Sequence, residues 1–272
     1  MVVERVISAG DYLSPSKLPG ADFVINPYVG CPHKCIYCYA EFMKRFTNHD
    51  EPWGDFVDVK RCAKRISPSR VEGKNIFMSS VTDAYNPYEK KYGVSRRVLE
   101  QLSGVRCSLT ITTKSFLAVR DIDLISAMPD ATVALSINSV DREFSRCIEP
   151  FASSPMKRVE ALKRFHDAGV ATVLFVSPVF PAITDFRKLI EATSGFVDEY
   201  WFENLKLRPA YRSKVMRFVR ERFPALAALY REIYDQGAPD YWIYLSEEID
   251  SYCRNNGIPN YRKFISAYRS PR

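Results

Sequence analysis

Cys31, Cys35 and Cys38 fall within eight residues, spaced C-x3-C-x2-C, and no other stretch of the 272-residue chain limits its folding so tightly. Thiols this close cannot all pack as small apolar side chains; their spacing sets them to share a metal centre. A closed zinc site or a common ferredoxin cluster takes four protein ligands. Three thiolates on a cubane cluster bind three irons and leave the fourth open, and an open position marks a reactive centre rather than a structural one. A zinc knuckle completed by His33 is the alternative, but no C-x2-C or H-x3-H second half follows it.

The length suffices for one α/β barrel with a full core. With 46% hydrophobic and 26% charged residues the chain reads as globular. No run approaches the roughly 20 apolar residues of a membrane span. The first residues lack an apolar signal core, so no secretion is expected. Seven cysteines, an odd and clustered set, suit a reducing cytoplasm better than a disulfide scaffold. The net charge of +7 is compatible with a nucleic-acid partner. Lys and Arg read as scattered among acids, so a solvated basic surface explains the charge equally well.

In chain order, a polar lead-in precedes a short buried strand at residues 23–26, closed by Pro27. The cysteine loop follows, then a short helix over 40–46, a turn at Trp53-Gly54-Asp55 and a small accessory strand at 57–60. Further strands are expected at 76–80, 108–113, 132–137, 172–178 and 199–204, making six with the first. Amphipathic stretches between them complete βα units around a parallel sheet. The clearest helix has Ser154 as cap, Pro155 first, Met156, Val159, Leu162 and Phe165 inward, and Gly169 as stop. Thr184 is expected to cap the next. Six units give a partial (β/α)6 TIM-type barrel over residues 1–211, since a complete barrel needs eight. Residues 212–272 read as a C-terminal helical cap, with a break at Pro224, an extended run at 241–245 and a last helix capped by Ser246.

Ligands of parallel α/β barrels collect at the carboxyl ends of the strands. Here those ends carry Ser79-Ser80-Val81-Thr82-Asp83-Ala84-Tyr85, Thr112-Thr113-Lys114 and Ser136-Ile137-Asn138-Ser139. Singly, such residues suit strand-to-loop turns. Together, on strands whose first end carries the cysteine loop, they point to a ligand site.

The loop, with Tyr37 in the aromatic slot of C-x3-C-x-aromatic-C, resembles that of the radical S-adenosylmethionine (SAM) superfamily. Thr113-Lys114, Ser136-Ile137-Asn138 and Glu149-Pro150 with Ser153-Ser154 are similar to signatures of its spore photoproduct lyase branch, including relatives described as DNA repair photolyases. The resemblance runs patchily from the first strand to the fifth helix and implies the partial (β/α)6 barrel. It further implies a [4Fe-4S] cluster on Cys31, Cys35 and Cys38 with SAM on the open iron. Lys114 and Ser136 occupy the positions that contact SAM in that branch. The cofactor's ammonium then falls to Asp83 or strand-end carbonyls, its carboxylate to Lys114, its ribose to Ser136 and Asn138 and its adenine to Tyr37, with Thr82 in the same set.

The activity implied is reductive cleavage of SAM to a 5′-deoxyadenosyl radical that takes hydrogen from a substrate. An external electron donor such as flavodoxin or ferredoxin is implied too, and nucleic acid is the substrate class the branch suggests. The branch's hydrogen-donor cysteine is matched here by Ser80, whose O–H bond is too strong for that step. Straightforward photoproduct reversal is therefore not expected. Cys147 and Glu149 are the candidates for catalytic roles, with packing as the plainer account of Cys147, Cys62, Cys107 and Cys253. Lys34 either offsets cluster charge or is solvated. Tyr85, Tyr88, Glu149, Glu203 and Asn204 are candidates to line the substrate pocket. Two other classes stay open: a non-enzymatic iron–sulfur electron carrier, and a zinc-stabilised nucleic-acid-binding module.

Overall fold

The computed structural model describes residues 1–238 and 240–265. Its strands in chain order are β1 (Val3–Ala9), β2 (Leu13–Pro15), β3 (Phe23–Ile25), β4 (Tyr28–Val29), β5 (Phe56–Cys62) and β6 (Asn75–Met78). They continue with β7 (Ser108–Thr113), β8 (Asp130–Ser136), β9 (Ala171–Val179), β10 (Glu199–Asn204) and β11 (Tyr261–Phe264). The main sheet has the order β11-β10-β9-β8-β7-β6-β3-β2, parallel except for β2, which runs antiparallel on β3. Its six central strands, β3 and β6 to β10, follow chain order and are joined through helical segments, so they form the open (β/α)6 barrel.

One face of the sheet is fully buried while the other is partly so, as the alternating burial along β7 and β10 shows. Leu109, Ile111, Val133, Leu135, Leu174, Val176 and Phe202 are fully enclosed. Burial of each such side chain contributes about 1.5–3 kcal/mol. Pairing brings the carboxyl ends of the six strands to one edge, with Ile25 beside Met78 and Ser136 beside Phe175. The cysteine loop leaves β3 at that edge.

A second sheet, β1-β5-β4, stands beside the loop. The expected accessory strand is β5, but β1 and β2 replace the polar lead-in. β1 is an edge strand with little buried surface, so its side chains carry no apolar pattern.

Other boundaries move for identifiable reasons. β6 ends at Met78, not residue 80, because Ser79 turns into the left-handed region (φ 81°). On the helix Pro155–Asp167, Met156 is 58% exposed and Arg158 takes a core position. Thr184 lies outside the next helix; Asp185 caps it by accepting from the amides of Arg187 and Lys188. The aromatic-rich run at 241–245 is helical, inside Asp240–Asn255. Its buried residues Trp242, Leu245, Ile249 and Cys253 recur at helical, not strand, spacing. Ser246 is therefore interior to that helix and caps nothing. The C-terminal segment is not helical throughout, for β11 extends the main sheet on β10. The helix Pro209–Arg222 also crosses the expected boundary at 211/212. Residues 266–272 of the expected cap lie outside the described residues.

Candidate metal and cofactor site

Close packing and hydrogen bonds fix the cysteine loop. Gly30 has φ +83°, and a Cβ there would sit 2.4 Å from the Phe56 carbonyl oxygen, so only glycine passes under β5. The Thr82 hydroxyl donates to the Gly30 carbonyl at 2.7 Å. Farther on, the Ile36 amide donates to the Ile148 carbonyl at 3.0 Å and the Phe151 amide to that of His33 at 3.4 Å. Lys34, also left-handed (φ 55°), pairs with Asp55 and lies 5.4 Å over the Phe151 ring. It is thus a loop fastener rather than a solvated charge.

All seven cysteines are free thiols. Cys31, Cys35 and Cys38 are half-buried. Burial pushes Cys35 well above the ordinary thiol range, helped by Glu149, and Cys38 up to about 11, helped by Cys31. Bare thiolates are therefore disfavoured, and binding iron would displace the protons. Among the described residues no three His, Cys, Asp or Glu side chains converge as ligands of a single ion. Cys31 and Cys38 pack with Met43 and Val81 against a small apolar cluster of Ala40, Trp53 and Phe56. The Trp53 indole N–H donates to Cys38 Sγ at 3.3 Å.

The opposite wall, from the barrel edge, is polar. Tyr37 donates its hydroxyl to Glu149 Oε1, and Asn138 Nδ2 reaches the same oxygen at 3.2 Å and the Tyr37 hydroxyl at 3.3 Å. Glu149 pairs with Arg158 at 2.5 Å, both fully buried. Burial alone would raise the Glu149 pKa; Arg158 and then Lys114 outweigh it and hold the carboxyl below its ordinary value. Arg158 also donates to the carbonyls of Ser153 at 2.7 Å and Ser136 at 2.8 Å. The Lys114 ammonium lies 5.8 Å over the Tyr37 ring, with no ion pair to a carboxylate among the described residues. Burial opposes its charge, but Cys35 and Glu149 raise its pKa all the same.

Asp83 accepts from the Lys114 amide at 2.8 Å, the Tyr85 amide at 2.9 Å and the Thr113 hydroxyl at 2.7 Å, and faces His33 Nδ1 at 3.3 Å. Burial would raise its pKa, yet His33 and these donors lower it to about 2. Burial likewise opposes protonation of His33, but Asp83 and then Cys31 push its pKa up to about 10.

Around the loop Tyr37, Asn138 and Glu149 bond one another, Arg158 joins Glu149 to the Ser136 carbonyl, and Asp83 holds the amide of Lys114, whereas Thr82 bonds the loop itself at Gly30. Asp83 is saturated by the protein and so orients Lys114 and His33, leaving no carboxylate lone pair directed at a ligand ammonium. The Ser136 hydroxyl donates to the Ser177 carbonyl at 2.8 Å and keeps acceptor capacity. The Ser80 hydroxyl accepts from Asn26 Nδ2 at 2.9 Å, in a clamp that also ties the Val81 amide to Asn26. Glu203 accepts from the Ser177 hydroxyl at 2.9 Å, and Asn204 is buried beside it at the end of β10. Tyr88 is partly buried against the main core. Two expectations fail. Cys147 is exposed on the helix Arg142–Ile148, neither packed in the core nor in this network. Tyr85 is fully buried beside Asp121 and Glu89, so it belongs to the core rather than to a pocket wall.

Sequence reasoning missed Arg158, Trp53 and Asn26. For Arg158 a signal existed, a charged residue between the inward positions Pro155 and Val159. For Trp53 and Asn26 there was none, since their partners are distant in the chain.

The residues suit a metal–SAM pair. Three thiols share one short loop, and among the described residues the Lys114 ammonium has no carboxylate partner and the buried Asn138 Oδ1 no hydrogen-bond partner. A parallel open barrel with such a loop on its first strand defines an iron–sulfur enzyme of the SAM-cleaving class. The comparisons agree: the radical SAM superfamily model matches residues 25–192, and the chain belongs to that superfamily. An uncharacterized protein of Methanocaldococcus jannaschii is 38% identical over 219 residues, 80% of this chain and 83% of its own. One from Acidianus two-tailed virus is 30% identical, over 65% of this chain and 68% of its own. Among solved structures, spore photoproduct lyase complexed with dinucleoside spore photoproduct has a TM-score of 0.58 at 17% identity, over 80% of this chain and 66% of the lyase. Streptococcus suis SuiB bound to S-adenosylmethionine scores 0.56 at 12% identity, over 96% of this chain and 50% of SuiB. The fold is thus the radical SAM fold, shared with spore photoproduct lyase and SuiB, and the family implies an iron–sulfur cluster and SAM.

Proposed function

We propose that this chain reductively cleaves SAM on a [4Fe-4S] cluster held by Cys31, Cys35 and Cys38, and that the radical so formed takes hydrogen from a nucleic-acid substrate. When bound, the reduced cluster supplies the electron that breaks the sulfonium bond. The chain's own residues bind, orient and exclude water. Lys114, kept cationic, would take the SAM carboxylate, and Asp83 fixes the backbone from which it projects. Asn138 Oδ1 and Ser136 would accept from ribose hydroxyls, and Tyr37, locked by Glu149, would present its ring to the adenine. Glu149 is held as a charged positioning group by Arg158, so it is not a free acid or base.

One observation carries this reading: the Lys114 ammonium, with no carboxylate partner among the described residues, and Asn138, whose Oδ1 has no hydrogen-bond partner among them, both lie against Tyr37 of the thiol-bearing loop. Neither an electron carrier nor a zinc module needs these two groups. The electron would come from a partner such as flavodoxin or ferredoxin, and seven free thiols suit a cytoplasmic setting.

The nucleic-acid part rests on charge placement. Residues 206–222 contain Lys206, Arg208, Arg212, Lys214, Arg217, Arg220 and Arg222 against Glu221. Glu203, Asp235, Glu41 and Glu143 pair with Lys206, Arg212, Lys214 and Arg222, so the basic surface rests on Arg208, Arg217 and Arg220. This segment meets the short 3-10 helix Tyr39–Phe46 through the Lys214–Glu41 pair at 3.0 Å. On that helix Phe46 is exposed, with Arg45 4.6 Å over its ring. Arginine with open aromatic faces suits a single strand.

The test is anaerobic reconstitution with iron and sulfide, dithionite reduction and chromatography for 5′-deoxyadenosine after adding SAM. Product that disappears in Cys35→Ala, with SAM binding weakened about tenfold or more in Lys114→Met, supports the reading. A colourless protein with stoichiometric zinc would sink it. Oligonucleotide affinity that does not fall with salt would remove the substrate class.

A further inference from the structure

The molecule builds Trp53 into a position that the reading above does not use. Trp53 lies in the turn before β5, closed by the Asp55 amide donating to the Pro52 carbonyl at 2.9 Å. Gly54 there has φ +98°, and a Cβ on it would sit 2.8 Å from Lys34 Cγ, so the turn and the cysteine loop are in direct contact. The indole stands edge-on to Phe56, centroids 5.6 Å apart at 87°. Phe56 is fully buried and stacked on His49 at 3.9 Å and 11°. His49 is held at both ring nitrogens, by Glu51 and Asp58, each at 2.9 Å. That pile fixes the plane of the indole, and its one donor points at Cys38 Sγ.

We infer that Trp53 is a positioning residue that sets the reduction potential of the metal centre through this N–H···S hydrogen bond. The inference rests on the reading of the three cysteines as iron–sulfur ligands. An electron added to a cluster increases the negative charge on its sulfurs, so a fixed donor to one of them stabilises the reduced form more than the oxidised. The apolar surround of Ala40, Phe56, Met43 and Val81 strengthens the effect by lowering the local dielectric. Loss of the donor makes the centre harder to reduce. The accessory sheet thereby acquires a role: it carries the indole to the sulfur.

The experiment is an EPR-monitored redox titration of the reconstituted protein without SAM, comparing wild type, Trp53→Phe and Trp53→His. Phenylalanine keeps the edge-to-face contact and removes the donor; histidine restores a ring N–H. Trp53→Phe should lower the equilibrium constant for reduction three- to tenfold, tenfold being about 59 mV for one electron. Trp53→His should recover part of that. A Trp53→Phe potential within twofold of wild type in equilibrium constant overturns the inference. If the variants fail to take a cluster, the wild type grown with 15N-indole tryptophan serves instead. Its reduced centre should show a 15N hyperfine coupling, and the absence of one overturns the inference. A wild type that assembles no iron–sulfur centre fails the underlying reading, a different result from either.

Discussion

The cysteine loop stands between two unlike walls. The accessory sheet presents an apolar surface of Trp53 and Phe56 to Cys31 and Cys38, with one directed donor. The barrel edge presents charge to Cys35 and Tyr37: Lys114 on one side, and the Glu149–Arg158 pair behind. The difference separates two tasks. A dry wall shields a metal centre and tunes it, whereas a wall of fixed dipoles and charges binds and orients a zwitterion. Both are rigid for different reasons, ring stacking in one and satisfied buried polarity in the other.

The comparison is broken most severely from the polar side. Arg158→Met leaves Glu149 buried and unpaired, with an expected loss of about 3–5 kcal/mol in urea unfolding of the metal-free protein. A double-mutant cycle with Glu149→Gln should recover much of it, and additive losses would deny the coupling.

Asp83→Asn comes next, at about 1.5–3 kcal/mol, because hydrogen bonds to a charged acceptor are lost. Its pH dependence has a definite sign. Against burial, His33 and the donors around it hold the folded carboxyl down to about 2, below the ordinary 3.8. Its contribution is present above pH 3.8 and disappears as pH falls through about 2. The stability gap between wild type and Asp83→Asn should therefore close over that window.

Gly30→Ala probes the join between the walls. The left-handed backbone alone costs about 1–2 kcal/mol, and the contact with the Phe56 carbonyl adds to it. The expected sign is reduced iron uptake on reconstitution with the barrel still folded by circular dichroism. The smallest effect belongs to Lys214→Ala. Its pair with Glu41 is partly exposed, so it should cost no more than about 1 kcal/mol while weakening oligonucleotide binding.

Much of this molecule could be read from local pattern. β7 and β10 fall at the expected residues 108–113 and 199–204, and the central strands were visible as apolar runs, most of them rich in β-branched residues. Periodicity failed where composition and geometry disagree, as in the aromatic helix Asp240–Asn255, or where a strand has no buried face, as in β1 and β11. Asn26, whose side chain ties the ends of β3 and β6 together, read only as the last residue of the first strand.

What the sequence by itself determined is the class of fold and the loop that carries three thiols. Three thiols in eight residues on the first of six βα units leave few other arrangements, because spacing and period are local properties of the chain. Tertiary structure alone decided what surrounds those thiols. The Tyr37–Glu149 bond spans 112 residues, and Trp53 reaches Cys38 from a separate sheet. Asp83 turned out to orient its neighbours instead of a ligand because both its oxygens were already taken. Such pairings arise only when strand ends are brought to a common edge and buried polar groups must find partners there.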